Sequence, residues 1–258
     1  MPDIPYCGAP PVPGGVAWNL DPVLMAALLG LGGWLAWRAR RNGRGGGAAP
    51  PALALGWAIL ALALVSPLCS LSVALFEARV AQHLVLTLVA APLLALGLGR
   101  PRGGAAAPRL GRATLVFGLV LWAWHLPGPY GATFRSDALY WAMQASLTGA
   151  AFWLWRALLV RALDRPDAAA LAGLVTAVQM GALGALLTLA PRPLFAEHAG
   201  TTAAWGLTPL EDQQLGGLLM WVPGGLLFAA TMVLALGLAL RGPGGTRRGG
   251  VPAPGVAE

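Results

Sequence analysis

The stretch Leu84–Gly99 runs for 16 residues without a single charge, and the wider run Val80–Leu98 is 19 residues long. As a helix such a run reaches across a hydrocarbon core of about 30 Å. Six further apolar segments accompany it, so that the set reads Pro22–Trp37, Ala49–Pro67, Val80–Leu98, Arg112–His125, Ala138–Leu159, Ala168–Ala190 and Leu215–Leu240. The first and fourth are short and borrow flanking residues to span; the fourth begins before Arg112, whose long side chain snorkels to the surface. Backbone polar groups inside a bilayer must be satisfied within the chain, so segments of this kind fold as helices. The expectation is an all-α, polytopic membrane helical bundle of seven transmembrane helices.

Arginine placement orients that bundle. The chain has 17 basic residues, all of them arginine. Fourteen lie in alternate linkers and the tail: Arg38, Arg40, Arg41 and Arg44; Arg100, Arg102, Arg109 and Arg112; Arg156, Arg161 and Arg165; Arg241, Arg247 and Arg248. Three lie on the other side: Arg79, Arg135 and Arg192. The positive-inside rule then puts the N-terminus outside and the C-terminus in the cytoplasm, which an odd number of spans requires. Asp3, Asp21, Glu77, Asp137, Glu197, Glu211 and Asp212 map to the outer side, with Cys7, Cys69 and all three histidines. A pI of about 10.9 raises the question of nucleic acid. The arginines are spread between apolar spans rather than gathered in a patch, so the partner they imply is the lipid bilayer and not nucleic acid.

The domain plan is an outer segment over 1–21, a transmembrane domain over 22–241 and a disordered cytoplasmic tail over 242–258. Met1–Leu20 lacks the basic start of a signal peptide. The cytoplasmic linkers RARRNGRGGGAAPP and RPRGGAAAPRLGR read as spacers. HExxH, P-loop, GxSxG and CxxC patterns are all absent, and no paired histidines stand at mid-membrane. That excludes the common hydrolase, nucleotide and bis-histidine haem sites and points away from an enzyme.

Polar residues gather at one depth instead. His83, preceded by Gln82, sits about one turn inside the third span, and His125 ends the fourth, where Pro127 and Pro129 stop the helix. Intramembrane ionisable residues are usually paired or functional; an interfacial histidine reaching headgroup water is the plainer alternative for each. Thr208-Pro209-Leu210-Glu211 has capping-box form, which accounts for Glu211. Asp212, Gly216 and Met220 mark one face at i, i+4, i+8, and Gly216 and Gly217 permit close helix approach. Tyr140 and Gln144 open the fifth span at i, i+4 and line the same outer cavity. His198 reads as a solvated loop residue, and Gln179 is the polar exception near the middle of span six.

Four blocks, LFEARVAQHLVLTLVAAPLLALG, LWAWHLPGPY, the span-five block ending AAFWLW, and LTPLEDQQLGGLLMWVPGG, together resemble the CtaG-type cytochrome c oxidase assembly factors of bacteria. The similarity covers about Leu75 to Gly225, over half the chain. It implies a bacterial plasma-membrane protein that matures a haem-copper oxidase, with oxidase subunits as partners and copper as cargo or cofactor on the outer face. The family's positions are matched by His83, His125, Asp212 and Gln213. Where relatives often carry a histidine four residues before His83 this chain has Arg79, and a histidine pair at the start of span five is replaced by Tyr140 and Gln144.

The resulting expectation is a cluster of His83, His125 and Asp212 as metal ligands, supported by Gln82 and Gln213. Two imidazoles and a carboxylate suit Cu(II); a softer Cu(I) site requires Cys69 or a methionine. Alternatively Arg79 pairs with Asp212 and the cluster is structural. Cys7 and Cys69 share the oxidising side and either form a disulfide or leave Cys69 as a thiolate ligand. A metal-free scaffold for oxidase subunits and a small-solute or metal transporter are the competing functions.

Overall fold

The computed structural model describes residues 5–42, 49–99, 109–161 and 165–240. Arg44, Arg100, Arg102, Asp3 and the expected tail over 242–258 lie outside the described residues. Those described form helices and loops without a strand, as the apolar segments require. The helices are α1 (Pro22–Asn42), α2 (Pro50–Val65), α3 (Pro67–Ala74), α4 (Phe76–Leu84), a π-helical stretch (Val85–Ala90), α5 (Ala91–Gly97), α6 (Leu110–Trp124), α7 (Pro127–Ala132), α8 (Asp137–Arg161), α9 (Pro166–Leu189) and α10 (Pro209–Leu240). Short 3₁₀ turns at Ala196–His198 and Thr202–Trp205 fill the loop before α10.

Among the described residues four elements are long and apolar enough to cross a membrane: Pro22–Arg41, Phe76–Gly97, Pro166–Leu189 and Pro209–Leu234. A fifth arises if α2 and α3, bent by 48° at their junction, count together. The 15-residue α6 is shorter, about 22 Å as a helix. The 25-residue α8 is long enough, but Tyr140, Gln144, Ser146 and Thr148 dilute its apolarity. Helix ends run past several expected bounds: α1 continues to Asn42, α4 starts at Phe76 and α10 at Pro209.

Prolines set the breaks. Pro67 has no N–H to give Ala63, so α2 stops and the Ser66 side chain accepts a bond from Leu68 N–H to start α3. Pro92 shifts the hydrogen-bond register of the Phe76–Gly97 span without breaking it. Ala91 N–H reaches back to Leu86 O in π register, which leaves Thr87 O without a helical donor, and the Trp155 indole fills that place at 2.9 Å.

The Phe76–Gly97 span is the central one: 61% of its apolar window is buried, against 22% for α1 and for α10. α10 packs on α9 at Gly217 and on α4 at Gly216. A side chain at Gly217 would meet Gly184 O at 2.7 Å, and one at Gly216 would meet the Phe76 ring. The close approach expected of Gly216 and Gly217 is therefore used, on two different neighbours. Gln179, the mid-span polar residue, lies against Gly118 of α6. The N-terminal segment crosses the ends of the bundle as a strap. Asn19 N–H donates to Val65 O at 2.8 Å, and the Trp205 indole donates to Pro11 O at 3.1 Å.

Candidate functional site: a histidine pair within a polar network

α4 and α6 bring His83 and His125 together. Their ring centres are 6.3 Å apart with the planes at 78°, and both side chains are buried. His125 terminates α6, and its Nδ1 bonds Leu121 O at 2.7 Å. A carbonyl only accepts, so Nδ1 carries the proton and the lone pair lies on Nε2. His83 is different: neither ring nitrogen has a hydrogen-bond partner. A buried imidazole with both nitrogens idle is costly, because an unpaired polar group forfeits its hydration without replacement.

Asp212 stands elsewhere. Its two carboxylate oxygens accept the Phe76 N–H at 2.7 Å and the Glu77 N–H at 3.0 Å. It thus caps the free N-terminus of α4 from another helix, where the positive dipole end favours a carboxylate. His83 is seven residues further along, about 10 Å at helical rise. Among the described residues no group of three or more His, Cys, Asp or Glu side chains is arranged to hold a metal ion. The pair of imidazoles comes together; the expected third ligand does not.

Nor does Arg79 pair with Asp212. Among the described residues the one ion pair is Arg165–Asp167 at 2.9 Å. Arg79, buried, donates from Nη1 to Thr133 Oγ1 at 2.8 Å and from Nε to Ser72 O at 3.1 Å. Its guanidinium lies 4.1 Å from the Phe134 ring centre and 5.1 Å from that of Tyr130. Aromatic faces and neutral acceptors hold the cation in place of a carboxylate.

The glutamines act as backbone caps. Gln82 Nε2 donates to Ala63 O at 2.8 Å, the carbonyl that Pro67 leaves free. Gln82 Oε1 accepts from Gln144 Nε2, which also donates to the Tyr140 hydroxyl, both at 3.0 Å. Gln213 joins the end of α9 to the following loop, donating to Leu187 O at 3.1 Å and accepting from Leu194 N–H. Tyr140 continues the chain outward. Cys7 and Cys69 form a disulfide with Cα atoms 5.4 Å apart, and the Tyr140 O–H donates to its sulfurs, 3.3 Å from Cys7. The Cys69 sulfur is therefore bridged and not a thiolate.

His198 is the residue that sequence reasoning misplaced. It is buried, 1% exposed, and shares a 2.7 Å hydrogen bond with the Tyr130 hydroxyl. Burial, reinforced by the Arg79 cation, lowers its pKa to about 3. The loop packs because Phe195 stacks on Phe76 at 4.4 Å and against Tyr130 at 4.5 Å. The aromatics of WAWHLPGPY and Phe195 were the available signal.

Residues 31–241 match the family profile of the cytochrome c oxidase caa3 assembly factors. The chain belongs to that family. The match takes in all the helices that carry the histidine pair and its network, from α2 to α10, and leaves out the N-terminal strap. Comparison with curated proteins and with solved structures returned no significant match. Membership in this assembly-factor family agrees with the resemblance carried by the four sequence blocks.

Proposed function

We propose that the chain acts in a bacterial plasma membrane as a non-enzymatic assembly factor for a haem-copper oxidase, carrying copper as cargo between His83 and His125 on the outer face. The observation that carries the reading is the pair itself. His83 has two unpartnered nitrogens, and His125 has a tautomer that leaves Nε2 as the acceptor. Two imidazoles sharing one ion at about 2 Å each have ring centres roughly 6 Å apart, which compares with 6.3 Å here. A two-imidazole set suits Cu(I), which accepts few ligands, better than Cu(II), since Asp212 is occupied as a cap. Low coordination also suits release to an oxidase subunit.

The topology belongs to the same proposal. Seven spans, with the N-terminus outside, follow if α2–α3 is one bent span and α6 and α8 also cross. The arginine distribution supports it, as does the Cys7–Cys69 bridge, because disulfides persist in an oxidising compartment.

A second reading, a metal-free scaffold for oxidase subunits, draws on the structural work done by Arg79, Gln82, Asp212 and Gln213. One experiment separates the two. Under the copper reading, purified protein binds Cu(I), and His83→Ala and His125→Ala each abolish that binding and lower oxidase copper content while the protein still accumulates. Under the scaffold reading no copper co-purifies with the wild type, and the same changes reduce the amount of folded protein. Full oxidase activity with normal accumulation in the double variant would overturn both.

A further inference from the structure

An apolar groove of about 860 Å³ runs along the bundle between α1 and α8, floored by α2, the π stretch and α5. Leu28 and Leu35 form one wall, Leu94 the floor and Phe152 the other wall. The two ends carry opposite charge. Asp21 and Asp137, at the starts of α1 and α8, flank one end; Arg38 and Arg156, near the ends of the same helices, flank the other. Arg156 spends one N–H on Gly99 O at 2.9 Å, and Arg38 lies over the Trp34 ring at 5.4 Å. Among the described residues neither forms an ion pair with a carboxylate.

We infer that this groove is a binding site for one anionic phospholipid of the surrounding bilayer, with its acyl chains along α1 and α8 and its phosphate between Arg38 and Arg156. The volume falls within the range of about 300–1,000 Å³ typical of small-ligand sites. Acyl chains are already out of water in the bilayer, so the groove selects by shape and charge, and basic pockets between transmembrane helices select anionic headgroups. The carboxylates at the far end repel a phosphate and so fix the lipid's direction. A partner's transmembrane helix is the alternative occupant, but it brings no anion to the two arginines. The site is separate from the histidine pair and independent of whether copper is carried.

Gly149 supplies the test. It lines the groove, and a Cβ added there meets nothing within 4 Å, so Gly149→Phe directs a ring into the groove. Delipidated protein is titrated with phosphatidylglycerol or with phosphatidylcholine of the same acyl chains, and bound lipid is counted by native mass spectrometry. The expected result is one phosphatidylglycerol per chain, bound in preference to phosphatidylcholine. At about 1 kcal/mol per arginine, Arg38→Gln with Arg156→Gln should weaken phosphatidylglycerol binding roughly 30-fold and leave phosphatidylcholine unchanged. Gly149→Phe should abolish both. Retention of the disulfide and of the elution volume reports folding; if the double variant fails that check, Arg38→Gln alone should give roughly a fivefold loss. Equal binding of the two lipids by the wild type, or undiminished phosphatidylglycerol binding by the folded arginine variants or Gly149→Phe, would overturn the inference.

Discussion

Asp212 shows how one side chain can organise a neighbouring element. Leu75 is extended, with φ −128° and ψ 132°, so α3 ends and α4 must start afresh with unpaired N–H groups. Two of those are bonded by Asp212 and by nothing local. Asp212→Ala should therefore cost about 2–4 kcal/mol, since the buried Phe76 N–H and the partly buried Glu77 N–H both lose their acceptor, and Asp212→Asn, which keeps one oxygen, should cost less. Thermal unfolding of purified protein ranks the three. His198 gives a pH prediction. Its folded pKa of about 3 lies below the unfolded value of roughly 6.5. Between those values the unfolded chain binds the extra proton, so the stability from neutral His198 is whole above about pH 6.5 and drains away as pH falls toward 3. Melting temperature should fall between pH 7 and pH 5, and His198→Gln should flatten that slope. An unchanged slope in the variant would remove His198 as the source.

Helices here meet through glycine, and Pro67 separates two of them. At the α9–α10 contact a Cβ on Gly184 would stand 2.8 Å from Gly217 O, closer than packed atoms come. Gly217→Leu should force the helices apart and lower the yield of folded protein, an overpacking cost of about 1–3 kcal/mol or more. Gly149→Ala, which faces open space, is the matched control. The π stretch beside His83 depends on Pro92 and on the Trp155 indole that pairs Thr87 O. Trp155→Phe keeps the ring but leaves that carbonyl unpaired in an apolar span, a loss of about 1–3 kcal/mol. Thr208 and Glu211 form the capping box that their spacing predicts, with Thr208 N–H and Glu211 Oε2 at 2.8 Å and Glu211 N–H and Thr208 Oγ1 at 3.2 Å. Both are exposed, so Thr208→Ala should cost only about 1 kcal/mol.

The molecule as a whole is strapped at one end. The disulfide, the Asn19–Val65 bond and the Trp205–Pro11 bond hold residues 5–21 across the helix ends, above the network that leads from Tyr140 through Gln144 to Gln82. Alkylation of unreduced protein should label neither Cys7 nor Cys69, and reduction should expose both. Replacing both with serine should cost about 2–4 kcal/mol, because the bridge closes a loop of 62 residues. Orientation is read by a reporter enzyme active only outside the cytoplasm. Fused after Arg248 it should be silent, and activity there would reverse the topology.

Helices, caps and breaks were legible in the chain because they depend on neighbours within a few residues. Apolar runs without charge, Pro67 at the end of the second segment, Pro127 and Pro129 after the fourth, the Thr208–Glu211 spacing and the Asp212–Gly216–Met220 face each carry a local signal, and all three members of that face are buried. The pairing of polar groups was not legible, since it is decided by which elements lie side by side. Asp212 and the N–H groups it caps are 135 and 136 residues apart, and Cys7 and Cys69 are 62 apart. His83 and His125 could be matched by depth, because a helix converts sequence position into height. Depth alone also admitted Asp212 to their company. The tertiary structure removed it, since a carboxylate buried in apolar surroundings goes to the nearest free donors, and those were the first N–H groups of α4.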